Sequence, residues 1–302
     1  MRKEFAQHIE TIARRDPNVI FLTGDLGFLA LESLRSAMGD RFINSGVSEQ
    51  NMVSMAASLA YEGLTPLCYS IAPFAVFRPA EQIRVDVCLH NLNVKLVGNG
   101  GGFGYGIMGA THHAIEDLAF LSSLQNMRCV VPFCNEDVRG AIDAMMEYKG
   151  PSYLRLGFGP KPEGTELPAF LPVRKLASGD RATIVGIGPV LLNVFEALKR
   201  GGDIACDVFA VSELPLATLS PELTESVQKT GKLLTIEEHV RRGGLGEHLA
   251  AFLLESAAHC KSTHLSVAGY PNGLYGNQAY HLEVNNLSPD AILSEIKKLT
   301  YE

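Results

Sequence analysis

Arg41-Phe42-Ile43-Asn44-Ser45-Gly46-Val47-Ser48-Glu49-Gln50-Asn51-Met52 reads as a strand, a glycine turn and the opening of a helix. Arg41 to Asn44 is a short apolar run, Gly46 permits a sharp reversal, and Met52 to Ala60 places apolar residues at helical spacing. Such strand–turn–helix units build parallel α/β sheets. Glu49 stands at the mouth of the turn, where a carboxylate commonly does no more than complement the helix dipole.

The same alternation continues in both directions. Strands are predicted at Asn18–Thr23, Arg41–Asn44, Thr65–Ser70, Asn93–Gly98, Arg128–Val131 and Tyr153–Leu156. Helices are predicted at Lys3–Arg15, Glu49–Glu62, Pro79–His90, Ala114–Ser123 and Glu136–Tyr148. Gly157 to Asp180 holds four prolines and four glycines and reads as a connection between domains. Alternation then restarts with strands at Ala182–Gly186, Asp207–Val211, Lys232–Ile236 and His264–Val267, and helices at Pro189–Lys199, Pro221–Gln228, Gly246–Glu255 and Ser288–Leu299. The expected fold class is therefore α/β, with two doubly wound domains, 1–160 and a smaller 181–302, joined by 161–180.

Composition narrows the class. The chain has 302 residues, 46% hydrophobic and 20% charged, enough for a sizeable core. A net charge of −7 with no basic run argues against nucleic acid as a partner. No stretch approaches the ~18 apolar residues of a membrane span, and Met1-Arg2-Lys3-Glu4-Phe5 does not open an apolar run of the kind expected in a secretory leader. The six cysteines lie mostly in apolar runs without metal-ligand spacing, so we expect reduced, buried thiols and a cytoplasmic location.

Several motifs invite chemistry. Gly104-Tyr105-Gly106-Ile107-Met108-Gly109 fits GxGxxG, but its strand ends too early and no ribose-binding acid follows ~20 residues on. Gly98-Asn99-Gly100-Gly101-Gly102-Phe103-Gly104 demands close backbone approach, and its place after a strand favours a ligand-facing loop. Of Thr111-His112-His113, one imidazole should face the site while the other packs. With no third ligand at suitable spacing, no metal is assigned to this chain. Phe74 and Phe77 flank a short loop after the third strand, and Phe74 at a sheet edge is suited to stack on a flat heteroaromatic ring. Gly24-Asp25 with Asn51 imitates a diphosphate–metal motif, but Asn51 falls inside the helix. The glycines after Glu238-His239 are explained by a tight turn alone.

As a set, Gly46-Val47-Ser48-Glu49-Gln50, Phe74 before Glu81-Gln82-Ile83-Arg84, Gly109-Ala110-Thr111-His112 and Glu237-Glu238-His239-x-x-x-Gly243-Gly244-Leu245-Gly246 resemble the C-terminal half of transketolases. The set also resembles 1-deoxy-xylulose-5-phosphate synthases and, more distantly, the β-subunits of 2-oxoacid dehydrogenases. The resemblance implies a pyrimidine-binding domain followed by a transketolase C-terminal-like domain, and thiamine diphosphate as cofactor. Glu49 would then bond N1′ of the aminopyrimidine and favour the imino tautomer that removes the thiazolium C2 proton. Phe74, Phe77 and Gln82 would line the ring, and His112 would meet the reacting carbonyl.

The departures shape the rest of the expectation. The domain that holds diphosphate and Mg²⁺ has no counterpart here, which implies a split enzyme whose N-terminal partner subunit carries both, by analogy in a heterotetramer. On the substrate side Gly100, Met108 and Phe158 stand where a histidine, an aspartate and a phosphate-binding arginine would be, while Arg155 keeps a cation. Together with His113 these are the substrate-side candidates, and they point to a less phosphorylated, more apolar or specialised-pathway substrate, a small ketose or 2-oxoacid. The function so implied is transfer of a two-carbon ketol unit. The alternatives are the β-subunit of a 2-oxoacid dehydrogenase complex and a non-catalytic regulatory subunit.

Overall fold

A computed structural model describes residues 1–27, 30–256 and 258–301. Among these residues the first sheet comprises β1 (Val19–Thr23), β2 (Phe42–Asn44), β3 (Thr65–Ile71), β4 (Lys95–Asn99), β5 (Arg128–Val130), β6 (Ser152–Leu156) and β10 (Glu213–Leu214). The second comprises β7 (Val173–Ala177), β8 (Thr183–Ile187), β9 (Asp207–Val211), β11 (Lys232–Val240) and β12 (Lys261–Val267). Strand order is β10-β5-β6-β4-β3-β1-β2 in one and β12-β11-β8-β9-β7 in the other. Both sheets are parallel except at one edge, where β10 pairs antiparallel with β5 and β7 antiparallel with β9. The expected fold class, two α/β domains with the smaller one second, is the one observed.

β1, β3, β6, β8 and β9 are buried at every residue, because helices cover both faces of each sheet. A continuous cluster of buried apolar side chains runs from Leu22, Val53 and Leu96 in the first domain to Val185, Phe209 and Leu249 in the second. The parallel strands of the first sheet all end on one side. The turns after β1, β2, β3, β4 and β6 therefore meet at that carboxyl edge, where such folds place ligands.

Several elements differ from the sequence expectation, among them the helices Glu32–Met38 and Gln278–Val284, which are not among those predicted. The segment 161–180 contains β7, an edge strand too short and too flanked by prolines to stand out. β10 is two residues long, yet it returns the chain from the second domain to the first sheet, where Arg128 pairs with Glu213 at 2.7 Å. The predicted helix Pro79–His90 is split into Ala80–Gln82 and a π-helical run, Ile83–Cys88. Phe74 and Phe77 lie on a helix, Ala72–Phe77, not a loop, because Pro73 fits the first turn of a helix that continues straight from β3. Five cysteines are buried free thiols and Cys260 is a partly buried one. No helix among the described residues is long and apolar enough to cross a membrane.

Candidate active site

The helix Glu49–Tyr61 buries Glu49, Met52, Val53, Ala56, Ala57 and Ala60, a stripe at helical spacing. Glu49 opens that stripe, so its carboxylate is directed into the protein and is only 3% exposed. Gly46 takes a positive φ of 72°, and its N–H donates to Asn44 Oδ1 at 3.0 Å, which fixes the entry to the helix. At the end of β3, Ser70 Oγ donates to Glu49 Oε1 at 3.2 Å. Arg78 Nη1 donates to Oε1 and Oε2 at 3.1 and 3.0 Å. Asp25 is held by Asn44, not Asn51, with Asn44 Nδ2 donating to Asp25 Oδ1 at 2.9 Å.

Phe74 joins this centre through Arg78, whose Cζ stands 3.7 Å over the ring centroid. The His112 ring meets Phe74 edge-on at 5.0 Å, and its Nδ1 pairs with Thr111 Oγ1 at 2.9 Å. Glu49, Phe74, Arg78 and His112 thus form one chain of contacts contributed by the turns after β2, β3 and β4. Arg78 and Ser70 were not singled out in the sequence. For Arg78 the available signal was its spacing, four residues beyond Phe74 on one helical face.

The other candidates lie elsewhere. Phe77 leans towards Phe120, with centroids 6.4 Å apart. Gln82 is half-buried, and its Oε1 has no hydrogen-bond partner among the described residues. His113 is buried, with Nδ1 on Tyr270 OH at 2.9 Å and Nε2 on the Gly106 carbonyl at 2.7 Å, so it packs, while His112 is half-buried beside Phe74. Met108 and Phe158 are surface side chains, 54% and 72% exposed. Arg155 is enclosed: Nε donates to Asp117 Oδ2 at 2.9 Å, and Nη2 to the carbonyls of Ala114 at 2.6 Å and Glu238 at 3.2 Å. Its Nε and Nη2 are taken up by the protein, and the side chain is only 4% exposed.

The glycine loop is also used differently from expectation. A Cβ on Gly101 would lie 2.5 Å from the Arg155 side chain, and one on Gly102 2.5 Å from the Glu238 carboxyl. Gly101 thus makes room for Arg155 of the first domain, and Gly102 for Glu238 of the second. Phe103 N–H donates to Glu238 Oε1 at 2.7 Å, and Gln278 Nε2 donates to the same oxygen at 3.0 Å. Gly100 is the exception, since a Cβ there would meet the ring of Tyr105, which accepts from Asn99 Nδ2 at 2.9 Å. The neighbouring Glu237 caps the helix Leu245–Glu255, accepting from Leu245 N–H at 2.8 Å and Gly246 N–H at 3.1 Å.

Three buried histidines hold the seam between domains. Burial is the leading cause that lowers the pKa of His113, His239 and His281 below the ordinary value. The unfolded chain therefore takes up these protons first, from about pH 6.5 downward, and their contribution to stability is present above that pH and lost below it. Their imidazole NMR signals should titrate below about pH 6.5. Titration at or above that value would remove this source of acid sensitivity.

Residues 1–158 match the family model of the transketolase pyrimidine-binding domain, and residues 172–292 match that of the transketolase C-terminal domain. The chain belongs to the transketolase family. Transketolase relatives include a protein from Phocaeicola vulgatus named as one subunit of an apulose-4-phosphate transketolase, 30% identical over 289 residues, covering 91% of this chain and 89% of the relative. A putative transketolase C-terminal section from Methanocaldococcus jannaschii is 29% identical over 316 residues, covering 99% and 96%. A solved structure described as a split gene transketolase, inactive beta4 tetramer, superposes with a TM-score of 0.83 at 31% identity over 99% of this chain and 97% of that one. Transketolase-family domains imply dependence on thiamine diphosphate.

Proposed function

We propose that the chain is the ring-binding subunit of a split, thiamine-diphosphate-dependent transketolase that transfers a two-carbon ketol unit. One observation carries this reading: a carboxylate only 3% exposed and the face of Phe74 hold one guanidinium between them, with the half-buried His112 imidazole edge-on to that ring. The fit to a flat base is physical. Glu49 offers a buried acceptor, Phe74 offers a ring face, and the planar guanidinium of Arg78 already occupies the space between them.

When bound, the cofactor supplies the nucleophilic carbon and the electron sink. Glu49 holds a proton at N1′, which sets the ring tautomer. Phe74 stacks on the ring, with Phe77 and Gln82 at the outer wall of the same helices. His112 donates to the substrate carbonyl or hydroxyl as negative charge develops there. In the Glu49-intact assembly, His112→Ala should lower turnover about a hundredfold while leaving exchange at the cofactor C2 unchanged. Equal losses in both rates would move His112 into cofactor activation.

On this reading 1–160 is the pyrimidine-binding domain, 161–180 the connection and 181–302 the C-terminal-like domain. An N-terminal partner subunit would hold the diphosphate and Mg²⁺ in a cytoplasmic heterotetramer. The relatives named as a transketolase subunit and as a C-terminal section support division of the enzyme between chains. So do Val47, Ile107 and Met108, exposed apolar side chains on the turns that carry Glu49 and His112, which fit a surface covered by another chain. Turnover should require mixing the two subunits. Full activity from this chain alone would refute the split arrangement.

Arg155 is paired with Asp117 and 4% exposed, Phe158 is a surface apolar residue, and Gly100 and Met108 lack charge, so the substrate-side candidates offer no exposed cation for a phosphate. Free ketoses should therefore be used within about tenfold of their phosphorylated counterparts in kcat/KM. A preference of about a thousandfold for phosphate would show that another group supplies the anion site.

A further inference from the structure

Arg78 makes two contacts at once. Its Nη1 bonds both oxygens of Glu49 at 3.1 and 3.0 Å, and its Cζ lies 3.7 Å over Phe74. These are the two surfaces an aminopyrimidine needs. A guanidinium and an N1′-protonated aminopyrimidine share a planar N–C–N cationic edge, so one carboxylate and one ring face cannot serve both together. Glu49 is enclosed, whereas the Arg78 side chain is 44% exposed. Arg78 can therefore turn into water without disturbing the core, and Glu49 cannot leave.

We propose that Arg78 is a positioning residue that occupies the ring site between Glu49 and Phe74 and is displaced as the aminopyrimidine enters. The proposal rests on the reading of Glu49 as the N1′ partner. Before loading, Arg78 keeps the buried carboxylate paired and aimed, which avoids an uncompensated charge. During loading, it lowers the apparent affinity by the fraction of chains in which the site is open.

Thiamine carries the aminopyrimidine without the diphosphate, so it probes this site on the full chain without the partner subunit. Calorimetric titration should show thiamine binding about tenfold more tightly to Arg78→Met and Arg78→Gln than to the unaltered chain. Loss of a merely structural contact would weaken binding or leave it unchanged, and either result in the folded variants overturns the proposal. Arg78→Gln retains a donor for Glu49. It decides the question if thermal unfolding shows that Arg78→Met is not folded. A thiamine analogue with CH in place of N1′ separates the two layers. If the unaltered chain binds that analogue as tightly as thiamine, the reading of Glu49 fails. If thiamine is preferred but neither variant gains affinity, Arg78 alone loses its role.

Discussion

Glu49→Ala will reduce deuterium exchange at the thiamine C2 carbon of the assembled enzyme by about a thousandfold. The carboxylate begins the buried stripe of its helix and is held by Ser70 and Arg78, so a methyl group there removes the acceptor without a nearby replacement. Glu49→Gln should lose a similar factor while still binding the cofactor, because an amide can hydrogen-bond but takes up no proton near neutral pH. The fold should survive either change, since the partner cation, Arg78, is 44% exposed and can be solvated. Exchange at the unaltered rate in both variants would remove Glu49 from the chemistry.

The second large effect is structural. Arg155→Met should lower stability by about 3–5 kcal/mol, because Asp117 would be left as a buried carboxylate without its cation. Asp117 also accepts from Tyr153 OH at 2.8 Å, and Arg155 reaches across to the Glu238 carbonyl, so the pair ties β6, the helix Asp117–Ser122 and the second domain together. Denaturant unfolding would measure it. An anion-binding Arg155 predicts the opposite pattern, with stability kept and KM raised for phosphorylated substrates only.

These two residues show where sequence reading carries and where it stops. The placement of Glu49 could be read because its signal is local: a carboxylate in the apolar stripe of a helix just after a glycine turn. Phe74 lies just after β3 and His112 in the long connection after β4, and both come to the carboxyl edge where the strand ends converge. Arg155 could not be read. At the end of a strand it has the same spacing whether it faces a ligand or a partner carboxylate, and Asp117 lies 38 residues earlier in the chain. The glycine loop misled for the same reason. Its small residues require that something come close, and only the packed domains show that Arg155 and Glu238 do so.

The sequence by itself determined the α/β class and the two-domain order, because hydrophobic period and turn residues act over a few positions. Tertiary structure decided which charged groups are consumed internally. It made Arg155 a tie between domains, turned the second domain back through β10 into the first sheet, and placed Arg78 on Glu49. Those outcomes depend on desolvation and on pairing between residues distant along the chain, and no local pattern encodes either.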